Sequence, residues 1–243
     1  MGLWRDLPDR LREATGRPRT IVYSRHGYGR SAPPPVPRPP SYMHHEARVV
    51  LPELLDRLGV TAPVLVGHSD GASIALLHAG AGHPVAGLVL LAPHVFVEDR
   101  SVEGVDAARR AFATTDLRAR LARHHDDVDV AFGGWCDVWL SPAFRAWDIQ
   151  DHLAPITCPV LVVQGGDDAY GTLAQVDAIA AGVSGPVERL VLAGVGHGPQ
   201  FEAAGEVLPA IARFIRSLPA TPNPPGGTYH PAGLTPPETG TDK

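Results

Sequence analysis

Four short apolar segments constrain the possible folds of this chain most strongly. Each is rich in Val and Leu, and its apolar residues follow one another without alternating with polar ones. Such runs are typical of strands buried on both faces, as in a parallel sheet covered by helices. The four segments lie at residues 63–69, 87–93, 159–165 and 188–194, and a weaker fifth candidate lies at residues 19–25.

Patterns with helical spacing separate these segments. They lie at residues 43–58, 71–79, 172–181 and 202–218. Pro52 interrupts the first pattern and is expected to kink or break that helix, because proline lacks the N–H that a helix interior needs. Strand and helix therefore alternate along the chain, which predicts an α/β protein with a mostly parallel open sheet flanked by helices.

The connection between the second and third predicted strands is much longer than a simple crossover needs. It contains short helical patterns and three of the four tryptophans, Trp135, Trp139 and Trp147. We interpret it as a helical cap inserted over one edge of the sheet. The predicted organisation is a core at residues 1–95 and 155–218, a cap at 96–154 and a disordered Pro/Gly-rich tail at 219–243, with a stiff Pro-rich loop at 32–40.

Charge and cysteine content limit the partners and the cellular compartments that this protein can have. Twenty-one basic and 26 acidic residues are interspersed and give a formal net charge of -5, which argues against a nucleic-acid partner. No apolar stretch has the length of a membrane span, and the first residues lack the apolar core of a signal peptide. Only Cys136 and Cys158 are present, which fits a reducing compartment, so a cytoplasmic location is expected.

The strongest candidate for chemistry is the segment Gly67-His68-Ser69-Asp70-Gly71. It follows a predicted strand and precedes a predicted helix of small residues. A serine on such a tight turn has its hydroxyl exposed for nucleophilic attack, and the glycines tolerate the crowding on either side. The N–H of Asp70, the residue after the serine, is then a candidate oxyanion donor.

A serine hydroxyl needs a base, and a base needs an orienting acid. His197 lies in the Gly-rich loop after the last predicted strand, where it would meet Ser69 at the carboxyl edge of the sheet. Asp167 and Asp168 follow the third strand, and the chain order Ser, Asp, His is the one expected. We favour Asp168 as the acid because it lies one residue further from the strand, and Asp167 stays the alternative.

These segments, with residues 26–31 (HGYGRS), resemble the α/β-hydrolase superfamily over about residues 3–218. The nearest relatives implied are small capped bacterial esterases, enol-lactone hydrolases and carbon–carbon bond hydrolases. In this superfamily the turn that corresponds to residues 26–31 often begins with Asp, whereas this chain has Ser24 at that position. The strands and the oxyanion loop that usually precede the first helix are not present before Trp4, so we expect a natural start upstream of Met1.

The resemblance implies acyl transfer on a small ester, lactone or related carbonyl substrate. Carbon–carbon bond cleavage, cofactor-free perhydrolysis and a catalytically silent fold that binds a small molecule stay open. His68, His94, Trp135 and Trp139 are candidates for the substrate pocket, although the tryptophans are equally compatible with a cap core. No cofactor and no metal are expected, because the His and Asp cluster at residues 124–129 is bunched in sequence. The oligomeric state is left open.

Overall fold

A computed structural model describes residues 4–17, 19–34 and 37–219. Its sheet has four parallel strands in the order β1 (Val64–His68), β2 (Gly87–Leu91), β3 (Val160–Gly165) and β4 (Val187–Leu192). Each strand coincides with one of the four apolar segments. The α/β class and the parallel open sheet are therefore confirmed.

The helices are α1 (Leu7–Thr15), α2 (Tyr42–His45), α3 (Leu51–Arg57), α4 (Asp70–Gly80), α5 (Asp99–Thr114), α6 (Leu117–Ala122), α7 (Val128–Trp139), α8 (Leu173–Gly182), α9 (Pro199–Glu202) and α10 (Ala204–Ser217). Short 3₁₀ turns lie at Pro142–Phe144 and Gln150–His152. In the described residues, no helix is both long and apolar enough to cross a bilayer.

Apolar side chains cover both faces of the sheet, which explains why the strand sequences do not alternate. Successive residues of β2 point to opposite faces of the sheet. Val89 packs with α1 and α10 on one face, and Leu90 packs with α4 and α8 on the other. The outer strand β4 carries exposed Glu188 and Arg189. Charged residues on an edge strand discourage pairing with another chain.

The first predicted helix continues through Pro52 instead of breaking there. A π-helical turn at Glu46–Val50 joins α2 to α3, and the Leu51 N–H donates to the Glu46 carbonyl five residues earlier. Because this wider turn shifts the hydrogen-bonding pattern ahead of Pro52, the chain stays helical although proline donates no hydrogen bond.

The prediction of a fifth strand at residues 19–25 is wrong. This segment pairs with none of the strands in the described sheet, where β1 has only β2 as a neighbour. Its apolar content is too small to bury two faces, and Ile21 is 40% exposed. The arginines at its ends instead bind other elements: Arg19 donates to the Leu58 carbonyl, and Arg25 donates to Asp70.

Residues 96–154, which we call the insert, contain α5, α6 and α7 between β2 and β3. The insert packs onto the main core through Trp139, Phe144 and Trp147. Described residues of the Pro-rich loop at 32–40 form neither helix nor strand. The predicted tail lies outside the described residues except for Pro219.

Candidate active site

Ser69 lies on a strained turn between β1 and α4. Its backbone has φ 53° and ψ -123°, a combination that non-glycine residues rarely adopt. A side chain on Gly67 would overlap the backbone of Gly71, so only glycine lets the strand and the helix cross this closely. The Ser69 N–H donates to the Leu91 carbonyl at 2.9 Å, which ties the turn to the end of β2.

His197 lies on the loop after β4 and is bonded to Asp168, which follows β3. Its Nδ1 is 2.8 Å from Oδ2 and 3.0 Å from Oδ1 of the carboxylate. Because a carboxylate accepts, Nδ1 carries the proton, and Nε2 is left as the basic atom. A side chain on Gly165 would overlap the carbonyls of Val195 and Gly196, so the two loops are in direct contact.

Asp168 is buried and both of its carboxylate oxygens accept hydrogen bonds, whereas Asp167 is exposed. Besides His197, Asp168 accepts from Gln164 Nε2 and from the Tyr170 N–H, each at 2.8 Å. Burial by itself would raise the pKa of Asp168, but the hydrogen bond and charge of His197 and the Tyr170 N–H outweigh it and lower that pKa. Asp168 is therefore ionised at neutral pH, and it is the carboxylate the structure places against His197.

The Ser69 turn and the His197 loop meet at the carboxyl edge of the sheet. The ring of His68, the residue before Ser69, lies 4.9 Å from the His197 ring, centroid to centroid. Within the described residues, the Ser69 hydroxyl forms no hydrogen bond with His197 or with any other side chain or backbone group. Nucleophile and base are often this loosely placed in a free enzyme and tighten when substrate binds.

Asp70 combines a helix N-terminus with a buried carboxylate. As the first residue of α4 it has an N–H with no partner inside the helix, which suits an oxyanion. Its side chain, 4% exposed, accepts from Tyr42 Oη at 2.7 Å and from Arg25 Nη2 at 3.2 Å. Burial, followed by the Asp70 charge, raises the pKa of Tyr42, so this phenol stays a donor.

His94 follows β2 and lies beside His197, at a ring distance of 5.9 Å. It is 2% exposed, and its Nδ1 has no partner in the described part of the chain. Burial first, and then the charge of His197, lower the pKa of His94 to about 4. His94 is therefore a neutral imidazole at neutral pH, next to the candidate base.

The candidate tryptophans differ in their placement. Trp139 is buried in the core, 5.1 Å from the His94 ring, and donates to Tyr42 Oη at 3.2 Å. Trp135 is half-buried and lies 6.2 Å from Tyr170. Tyr170 itself was not among the candidates, yet its ring is 4.5 Å from that of His197. Its position two residues after Asp168 was the only signal in the sequence.

The insert contacts the loop that carries Asp168, which the sequence did not indicate. Arg100 Nε donates to the Asp168 carbonyl at 2.5 Å, and Ser101 Oγ donates to the Tyr170 carbonyl at 2.6 Å. Glu98 accepts from the Thr172 N–H and from Gln175 Nε2, each at 2.8 Å. The start of α5 and the loop that carries Asp168, which we call the acid loop, are thus joined by several hydrogen bonds.

No group of three or more His, Cys, Asp or Glu residues that could hold a metal ion is present in residues 4–17, 19–34 and 37–219. In the cluster at 124–129, His125 Nδ1 accepts from the Gly29 N–H at 3.1 Å. The expectation that no metal or cofactor is bound stays a prediction.

A parallel sheet with a strained serine turn and a His–Asp pair at its carboxyl edge defines a fold of the α/β-hydrolase type. The model of the alpha/beta hydrolase family matches residues 1–210. The chain therefore belongs to the α/β-hydrolase family.

Known proteins resemble the chain to different extents. Epoxide hydrolase A of Mycobacterium tuberculosis (strain ATCC 25618 / H37Rv) is 33% identical over 82 residues, 33% of this chain and 26% of that protein. The chain thus spans about a quarter of this curated relative. An esterase from Exiguobacterium antarcticum has a TM-score of 0.67 at 19% identity, covering 89% of this chain and 87% of that one. The enol-lactonase of Burkholderia xenovorans LB400 has a TM-score of 0.66 at 20% identity, covering 88% and 86%.

Proposed function

We propose that this protein is a serine hydrolase that cleaves a small ester or lactone by acyl transfer. The observation that carries the proposal is the hydrogen bond between buried Asp168 and half-buried His197 at the same sheet edge as the strained Ser69 turn. An esterase and an enol-lactonase share the fold, and their names supply the two substrate classes.

The reaction proceeds in two steps. Ser69 Oγ attacks the carbonyl carbon while His197 Nε2 takes its proton, and Asp168 stabilises the resulting imidazolium through Nδ1. The tetrahedral oxyanion accepts a hydrogen bond from the Asp70 N–H. His197 then gives the proton to the leaving oxygen. Water, deprotonated by the same histidine, releases the acid and restores Ser69.

The insert of residues 96–154 acts in this proposal as a cap over the site. Support comes from Arg100, which bonds the acid loop, and from Trp139, which lies beside His94. No cofactor or metal takes part, and the partner is a small-molecule substrate. The thiols of Cys136 and Cys158 are free, which supports a cytoplasmic location.

A panel of chromogenic esters and lactones tests the proposal with wild type, Ser69→Ala and His197→Gln. Wild type should hydrolyse at least one ester or lactone, and each variant should lose on the order of a thousandfold or more in kcat. Ser184→Ala, which changes an exposed serine, is the matched control and should keep full activity. Undiminished hydrolysis by Ser69→Ala, or tight substrate binding by a wild type that releases no product, would contradict the proposal.

A further inference from the structure

The side chain of Glu202 folds back onto the loop that carries the candidate base. Its Oε2 accepts from the Gly196 N–H at 2.7 Å, and its Oε1 accepts from the Gly198 N–H at 2.9 Å. These two N–H groups belong to the residues directly before and directly after His197. One carboxylate thus binds the backbone on both sides of the histidine.

The two flanking glycines make room for this carboxylate. A Cβ on Gly196 would lie 3.1 Å from Oε2 of Glu202, and a Cβ on Gly198 would lie 3.3 Å from Oε1. Both distances are shorter than a Cβ ordinarily has to a neighbouring atom. The φ of Gly198 is -112°, outside the left-handed region that favours glycine. The closeness of Glu202, and not the backbone conformation, therefore favours glycine at position 198.

Capping of helix α9 explains only one of the two bonds. The Glu202 N–H donates to the Gly198 carbonyl at 2.9 Å, and the Gly198 N–H donates back to the Glu202 side chain. Such a reciprocal pair is typical of a capped helix start. The Gly196 N–H lies two residues before the start of α9, so its bond to Glu202 adds nothing to the cap. This second bond fixes the loop instead.

The loop at residues 194–198, which we call the base loop, needs contacts to hold it. Three of its five residues are glycine, which loses more conformational freedom on folding than any other residue. Asp168 fixes the ring of His197 through Nδ1, and Glu202 fixes the backbone from which that ring projects. The two carboxylates therefore restrain different parts of the same residue.

Helix α9 gives Glu202 a firm base while leaving its carboxylate open to solvent. Pro199 and Gln200, the first two residues of α9, are buried, and Gln200 is only 3% exposed. Glu202 itself is exposed. A small carboxylate ion from solution could therefore reach the same two N–H groups if the Glu202 side chain were removed.

We propose that Glu202 is a positioning residue, which holds Nε2 of His197 where it takes the proton of Ser69. This inference rests on the proposed function. Glu202 acts through the backbone of the base loop and not through contact with the substrate. Because a displacement of about 1 Å can lower a rate about a hundredfold, two backbone hydrogen bonds are enough to affect kcat.

Steady-state kinetics on an ester that wild type hydrolyses test the inference with three variants. Glu202→Ala removes both bonds and should lower kcat on the order of tenfold with little change in KM. Glu202→Gln keeps one acceptor oxygen and should lose less. Glu206→Ala removes the same charge from an exposed position on the next helix and should keep the wild-type kcat.

Rescue by formate separates positioning from a general loss of stability. In Glu202→Ala, formate can accept from both N–H groups, so kcat should rise as formate is added. Sodium chloride at equal ionic strength should not raise it. The inference is overturned if Glu202→Ala keeps the wild-type kcat. It is also overturned if formate has no effect and the alanine and glutamine variants lose equal activity.

Amide hydrogen exchange separates this inference from the proposed function. Exchange of the Gly196 and Gly198 N–H groups should be on the order of tenfold faster in Glu202→Ala than in wild type, whether or not esters are hydrolysed. Faster exchange in a protein that hydrolyses no ester contradicts the proposed function and supports the restraint of the loop by Glu202. Hydrolysis by wild type, with unchanged exchange and kcat in Glu202→Ala, contradicts the role of Glu202 alone.

Discussion

Nε2 of His68 lies 2.7 Å from the carbonyl oxygen of His197. Since a carbonyl oxygen only accepts, Nε2 carries the proton and donates it. Burial first, and then the charge of His197, lower the pKa of His68 to about 4, so the ring is neutral at neutral pH. One hydrogen bond thus joins the turn that carries Ser69 to the loop that carries His197.

Removing this bond should loosen the position of the base. His68→Ala is expected to lower kcat/KM about fivefold, because one intramolecular hydrogen bond contributes about 1 kcal/mol. His68→Gln keeps an N–H donor and should recover part of the loss. Steady-state kinetics on both variants, with Tm recorded, check this, and equal activity of the alanine and glutamine variants would argue against a positioning role.

Glu98 should fix the loop of Asp168 from the side of the insert. Glu98→Ala leaves the Thr172 N–H without its acceptor and removes one of the two acceptors of Gln175 Nε2, so it is expected to lower the free energy of unfolding by about 2 kcal/mol and to reduce kcat. Glu103→Ala, an exposed change on the same helix, is the control. Urea unfolding and kcat are measured for both, and identical behaviour of the two variants would speak against the link.

The two aspartates after β3 should differ sharply when each is replaced by asparagine. Asp168→Asn removes the carboxylate that orients His197, so kcat/KM should fall on the order of a thousandfold or more. Asp167→Asn alters an exposed side chain and should have little effect. The same ester is assayed with both variants, and a larger loss in Asp167→Asn would reverse the assignment.

Buried His94 should make the fold sensitive to acid. Its pKa in the folded state, about 4, is below its usual value of 6.5, so the unfolded chain binds more protons between these pH values. The stabilisation is complete above about pH 6.5, and about 3 kcal/mol is lost as the pH falls to about 4.

Urea unfolding of wild type and His94→Gln at several pH values measures this effect. The slope of stability against pH below 6.5 should be shallower in His94→Gln than in wild type. His26→Gln, which replaces an exposed histidine, should keep the wild-type slope. A wild-type slope in His94→Gln would contradict the placement of a neutral imidazole at this position.

The central strands β2 and β3 could be predicted from sequence because both of their faces are covered, so their continuous apolar composition marks them. The prediction of a strand at residues 19–25 is wrong because a strand also needs a paired neighbour, and pairing is not visible in local composition. The hydrogen bond between His197 and Asp168 depends on the conformations of the loops after β3 and β4, which the sequence does not show. The sequence could therefore restrict the candidates for the orienting acid only to Asp167 and Asp168. The roles of these residues in catalysis stay predictions.

The contacts made by the insert could not be predicted from local sequence patterns. Nothing in the sequence around Glu98 or Arg100 indicates that α5 would bind the loop after β3, because the two segments are joined only through the tertiary fold. The burial of Arg38 was equally hidden, since it lies in a Pro-rich stretch that predicts an exposed loop.

Covalent labelling with a fluorophosphonate tests the central claim most directly. Intact mass should increase by one phosphonyl group, peptide mapping should place it on Ser69, and Ser69→Ala should stay unlabelled. His197→Gln should react far more slowly, because the hydroxyl then lacks its base. Labelling at another residue, or none in a folded wild-type protein, would contradict the account.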